Sequence, residues 1–177
     1  MIKKYLQPSL ETGPLQWSEY TDGDTVVSRF KQTEWNKIFS EYSTEGEFRQ
    51  FVSDCPDTVA VRILRNIPSG KTYGFLTMML IDARRGVIGL HGGAWARSPG
   101  DCMHIYRGLI LLITRLLDRG AHVVSSSANN RAAIRFMSGL GFRVYSYRYG
   151  MTHYHVTRRQ LQKSPLFKRL GGHHPVS

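Results

Sequence analysis

Few side chains in this sequence have the type and setting for acid–base or nucleophilic work. His91 ends the apolar run Val87-Ile88-Gly89-Leu90-His91. An imidazole that titrates near 6.5 can accept a proton at neutral pH, so His91 is a candidate for acid–base work. No Asp or Glu lies between Val87 and Pro99. His104, His153 and His155 are weaker candidates. His153 and His155 share one face of an extended segment, but two imidazoles without a third ligand make no metal centre, and no metal is expected. The chain has no Ser–His–Asp spacing, no Gly-x-Ser-x-Gly turn and no Walker motif. Ser125-Ser126-Ser127 reads as the end of a strand rather than as a nucleophile.

Elements must position these groups, and the apolar spacing predicts them. Residues 1–24 hold Pro8, Gly13, Pro14 and Asp22-Gly23-Asp24 and read as an irregular N-terminal segment. Trp35, Ile38, Phe39 and Tyr42 fall on one helix face, with Thr33 able to cap it. Phe48, Phe51 and Val52 predict a second, short helix. Residues 58–65 and 73–81 read as two strands joined through Ser69-Gly70-Lys71, and 87–91 as a third. Ile105, Leu109, Leu112, Ile113, Leu116 and Leu117 form the stripe of a long helix that Gly120 stops. A strand over 121–127 follows. Next comes a helix capped by Asn129 or Asn130, whose Ala133, Phe136, Met137 and Leu140 share a face and which Gly141 closes. Residues 142–149 and 151–157 alternate as antiparallel partners. Residues 158–177 read as a short helix and a basic tail. The order predicts one domain over 1–177, with helices on both faces of a mixed α/β sheet.

The bulk properties fit that picture. A chain of 177 residues with 41% apolar residues suits one core, and no apolar run is long enough to span a membrane. The N-terminus has no secretory pattern. Cys55 and Cys102 form neither a disulfide framework nor a zinc spacing, so two free thiols in a cytoplasmic protein are expected. The net charge is +11, and no acidic residue follows Asp118. A basic C-terminal third can attract a phosphorylated cofactor or nucleic acid.

The run Asn130-Arg131-Ala132-Ala133-Ile134-Arg135-Phe136-Met137-Ser138-Gly139-Leu140-Gly141-Phe142, set in this element order, resembles the GNAT (GCN5-related N-acetyltransferase) superfamily over roughly residues 58–157. The resemblance implies a mostly antiparallel central sheet of about six to seven strands with helices on both faces. It implies acetyl-CoA or another acyl-CoA as co-substrate, with the pantetheine arm between two splayed strands and against the backbone of Leu90–Trp95. Gly93, Ala94 and Trp95 then touch the cofactor from the strand, and Asn130, Ala133 and Phe136 from the following helix. Two positions depart from the family pattern. Its Arg/Gln-x-x-Gly-x-Gly/Ala phosphate loop is replaced by Ala96–Ile105, where Arg97, Ser98 and Gly100, with Arg107 one turn further, are the groups left to meet phosphates. The tyrosine that commonly follows the helix aromatic is Met137, so Ser138 or a strand tyrosine such as Tyr145 is the candidate proton donor, with His91 as base.

The expected function is transfer of an acyl group from acyl-CoA to an amine, on a small molecule or a protein, by direct attack. The alternative is a protein of the same fold without turnover, whose basic surface contacts a protein or nucleic acid. No membrane partner is expected, and a homodimer is compatible with either reading.

Overall fold

The computed structural model describes residues 1–6, 10–31, 42, 44–127 and 131–170. Among the described residues, eight strands form one sheet in the order β1-β2-β3-β4-β5-β6-β8-β7. The strands are β1 (Leu10–Thr12), β2 (Leu15–Glu19), β3 (Val59–Asn66), β4 (Thr72–Asp82), β5 (Val87–Ala94), β6 (His122–Ser127), β7 (Arg143–Arg148) and β8 (Met151–Val156). Every pairing is antiparallel except β5 with β6. The sheet is therefore the mostly antiparallel one expected, with one or two strands more.

The additional strands lie in the segment expected to be irregular. Residues 2–5 form a 3-10 turn, and β1 and β2 form a tight hairpin. The turn formers Gly13 and Pro14 make the reversal itself. Leu10, Leu15 and Trp17 point into the core on either side of it. Their alternation spans too few residues to stand out before the hairpin is paired with β3. The helix expected around Trp35 lies outside the described residues, as does Asn130.

Apolar side chains fill both sides of the sheet. On one side lie α3 (Pro99–Asp118), α4 (Arg131–Gly139), α5 (Arg158–Lys163) and α6 (Pro165–Leu170), over a large cluster that includes Leu64, Met78, Ile88, Leu112, Ile113 and Leu140. On the other side α1 (Val27–Lys31) and α2 (Glu45–Asp54) cover Val61, Ile63 and Phe75. The long helix carries the expected stripe: Ile105, Leu109, Leu112, Ile113 and Leu116 are buried. The C-terminal segment is not a loose tail up to Leu170. Thr157 and Gln160 form a capping box, Leu161 and Leu170 are buried, and Arg158 pairs with Asp118 of α3. Both cysteines are free thiols. Among the described residues, no helix is long and apolar enough to cross a membrane.

Gly141 ends α4 with φ +86°, where side chains other than glycine are strained. A Cβ there would lie 2.5 Å from the Gln160 carbonyl oxygen. Gly141→Ala is therefore expected to destabilise the fold by at least about 2 kcal/mol. Urea unfolding followed by tryptophan fluorescence measures this, and a loss below about 0.5 kcal/mol would contradict it.

Candidate active site

The site begins where two parallel strands part. β5 and β6 pair from Val87↔His122 to Leu90↔Ser125. Beyond that point β5 stays on β4 as far as Ala94, whereas β6 stays on β8 as far as Ser127. The Ser125 hydroxyl donates to the Leu90 carbonyl at 3.1 Å, a side-chain link at the mouth of the gap. A strand sends its peptide groups alternately to its two neighbours. Part of the His91–Ala94 backbone therefore faces the opening that β6 has left.

The opening leads to a cavity of about 350 Å³. Of its lining, His91–Ala94, Ser125, Tyr106, Arg135 and Phe136 keep some exposure and form the rim, whereas Trp17, Leu64, Leu76, Leu109 and Ile113 are buried. Gly92 has a reason to be glycine that is independent of any ligand. A Cβ there would collide with the Phe75 carbonyl oxygen and the Leu76 side chain, so β4 itself requires the close approach.

His91 sits on the rim, opposite Thr77 of β4. Phe75 and Thr77 alternate onto the same sheet face, so His91 belongs to the side that α1 and α2 cover. Burial lowers its pKa below the usual 6.5. The imidazole is thus neutral at neutral pH and able to accept a proton.

The expected proton donors do not gather there. Ser138 is exposed on α4. Tyr145 is 54% exposed at the bulge of β7, where its ring packs edge-on to His155 at 5.7 Å and lies 6.1 Å from His153. Neither lines the cavity. Met137 does, and is buried. Phe136 also lines it, stacked on Tyr106 of α3 with centroids 4.6 Å apart and an interplanar angle of 24°. Burial raises the Tyr106 pKa, which keeps its hydroxyl protonated. Sequence reading missed Tyr106 as a site residue because it lies on the flank of the Ile105–Leu116 stripe, where an aromatic reads as packing. It missed Arg135 because that residue is one arginine among many in the basic third. The available signal for both was position: about two turns into α3, and next to the Phe136 of the motif.

At the N-terminus of α3 the chain caps itself. The Ser98 hydroxyl accepts from the Asp101 amide at 3.1 Å, and Pro99 occupies the first helical turn. The Asp101 carboxylate accepts from the Arg97 amide at 2.8 Å and from Lys71 Nζ at 2.6 Å. Two amides that would face an anion in a phosphate loop are therefore already bonded, one of them to a carboxylate. The side chains of Arg97 and Arg107 remain exposed nearby, and Gly100 is open. Trp95 leaves this region for the other sheet face, where it packs on Phe75 at 5.7 Å with the Arg29 guanidinium 5.4 Å from its ring centre. Ala133 lies within α4. Among the described residues, no group of three His, Cys, Asp or Glu side chains could hold a metal ion.

No family model matches this chain, and no curated protein sequence matches it. Solved structures do. A GCN5-related N-acetyltransferase from Brucella melitensis superposes with a TM-score of 0.65 at 17% identity, over 86% of this chain and 79% of that one. Spermidine N-acetyltransferase from Vibrio cholerae, solved with CoA and spermine, gives 0.64 at 9% identity, over 86% and 100%. Ribosomal-protein-S5-alanine acetyltransferase from Vibrio fischeri gives 0.60 at 11% identity, over 86% and 98%. The chain has the fold of the GCN5-related N-acetyltransferases.

Lys71, followed by the Arg97 amide, holds the Asp101 carboxyl below its usual range. A carboxyl favoured in its charged form stabilises the fold above its ordinary pKa, and that contribution fades as pH falls through the lower folded value. Asp101→Asn is expected to melt below wild type at neutral pH, and the gap should close as pH drops below 3.8. Thermal melts across the acid range check this; a gap independent of pH would point to a role unrelated to charge.

Proposed function

We propose that this protein transfers an acyl group from an acyl-CoA to an amine. The observation that carries the reading is the parting of β5 and β6 above a cavity, in a fold shared with N-acetyltransferases. A pantetheine arm is extended and bears amides, which suits a gap lined by strand backbone. Where the Cβ of Gly92 is forbidden by β4, the ligand meets main chain instead of side chain.

The phosphate end is held differently from a loop of free amides. The side chains of Arg97, Arg107 and Arg135 supply the positive charge, since the Arg97 and Asp101 amides are spent on the helix cap. Phe136 packs beside the arm, with Asn130 and Ala133 on the same segment.

The acceptor enters from the side of α1 and α2, where His91 faces. Neutral His91 takes the proton from the attacking amine. The new C–N bond forms at the thioester carbonyl, and a β5 backbone N–H stabilises the charge developing on oxygen. The C–S bond then breaks, and the leaving sulfur takes its proton from Tyr106, the protonated hydroxyl on the rim. Ser138 and Tyr145 lie away from the cavity and are assigned no proton transfer.

Calorimetric titration with acetyl-CoA and CoA tests the ligand; no heat of binding at millimolar concentration would sink the reading. Thiol release measured against a panel of amines tests the chemistry. His91→Ala is expected to lower kcat by about a hundredfold while CoA affinity stays close to wild type. Because the acting form is the neutral imidazole and its pKa is lowered, the acid limb of kcat/KM should fall below 6.5, and His91→Ala should lack it. Tyr106→Phe keeps the stacking on Phe136 and removes the proton; a loss of turnover of about tenfold or more is expected. Unchanged kcat in either variant would remove that residue from the mechanism.

A further inference from the structure

We infer that the cavity behind the β5–β6 opening is an acyl-chain pocket, and that the preferred donor carries a medium-length alkyl chain rather than acetyl. This rests on the reading of the site as an acyl-CoA cleft. The polar groups of the cavity cluster at the rim, in the His91–Ala94 backbone, Ser125, Tyr106 and Arg135. The deeper wall is Leu64, Leu76, Leu90, Leu109, Ile113 and Leu140. Trp17 is also there, but its indole N–H is already donated to the Gly108 carbonyl at 2.7 Å. The wall thus offers an amide or a phosphate nothing to bond. A lining of this kind favours apolar guests.

The hollow does not come from a badly seated helix. Gly108 lets α3 press on the sheet so closely that a Cβ there would lie 2.8 Å from both Leu64 methyl carbons and 3.2 Å from the Trp17 nitrogen. Space is left beside this contact, where Leu109 and Ile113 line the cavity. A folded chain ordinarily fills such a space with side chains, because voids are destabilising. Here it persists next to the opening where a thioester would lie.

Its size sets the guest. About 350 Å³, rim included, is on the order of twelve times the ~30 Å³ share of a water molecule, which is close to the space a methylene needs. The end of the pantetheine arm and the thioester take the rim's share, and an acetyl methyl fills little of what is left. A linear chain of about eight carbons fills most of the remainder. A chain of sixteen carbons overfills it.

Calorimetric titration of the full chain with CoA, acetyl-, butyryl-, octanoyl- and palmitoyl-CoA decides the matter. Octanoyl-CoA is expected to bind at least about tenfold tighter than acetyl-CoA, since each buried methylene adds to affinity. Palmitoyl-CoA is expected to fall back below octanoyl-CoA. Ile113→Phe, which fills the hollow, should bring the octanoyl-to-acetyl ratio towards one. If that variant melts early, Leu109→Phe serves as the second filling variant, and the chain-length series on wild type stands without either. Equal affinity for acetyl- and octanoyl-CoA would overturn the inference while leaving the acyltransferase reading intact. So would affinity that climbs through palmitoyl-CoA without an optimum, the mark of surface adsorption. An octanoyl preference untouched by a folded filling variant would overturn the placement in this cavity. Failure of every CoA species to bind would instead remove the underlying reading.

Discussion

The arrangement of this protein depends on a competition between neighbours for two strands. β5 is claimed by β4 along its whole length, and the glycines at 74 and 92 let those two backbones approach more closely than side chains would allow. β6 is claimed by β8 from Val123 to Ser127. Between them, only the stretch up to Leu90 and Ser125 is shared. A sheet normally continues its ladder, because an unpaired peptide group away from water is costly. The parting is therefore held in place by the pairings on either side, and it leaves backbone donors and acceptors where a ligand can use them. The cavity, the position of His91 and the meeting of α3 with α4 across the rim all follow from it.

Charge is handled locally on both faces. At the start of α3, Ser98, Asp101 and Lys71 close a small polar cluster that satisfies the helix terminus without any ligand. On the opposite face Glu45 accepts from the amides of Val26 and Val27 at 2.8 Å each and from the Tyr20 hydroxyl. That one carboxylate joins the end of β2, the start of α1 and the start of α2. The Tyr20 pKa is raised by burial and by that carboxylate. Asp24 pairs with Arg65 beside it, while Arg49 donates to the carbonyls of Thr21, Asp22 and Asp24. The wall facing His91 is thus pinned by polar contacts, whereas the wall behind the cavity is pinned by apolar packing.

Much of this was legible in the sequence, and the reasons differ by element. The stripe from Ile105 to Leu116 and the strand runs of β3, β4 and β5 announce themselves because long periodic patterns are hard to produce by chance. Gly141 announces itself because the reversal after α4 needs a positive φ. The β1–β2 hairpin was hidden, since three and five residues carry too little alternation to read. The docking of α5 and α6 was hidden by charge: Arg158, Arg159, Lys163, Lys168 and Arg169 suggest a solvated tail, while Leu161, Ser164 and Leu170 do the packing. At the cavity, His91 was nominated by its chemistry in an apolar run, and it is among the lining residues. Tyr106 and Arg135 were not nominated, because they reach the lining through which elements meet across the rim, a property of tertiary structure. Ser138 was nominated by adjacency to Met137 and Tyr145 by its place on the following strand; one is exposed on α4 and the other sits at a strand bulge on the sheet edge.

The wall of the cavity is gathered from Trp17 near one end of the chain to Phe142 near the other. Such long-range closure is slow, since distant segments must be brought together before their contacts repay the lost entropy. During synthesis the leucines and isoleucines that later enclose the hollow are made before Phe142 exists to complete it. They remain open to water and to other chains for that interval, which is when partly folded proteins aggregate or recruit chaperones. The surface proposed to choose the donor is thus also one that the unfinished chain leaves open to other contacts.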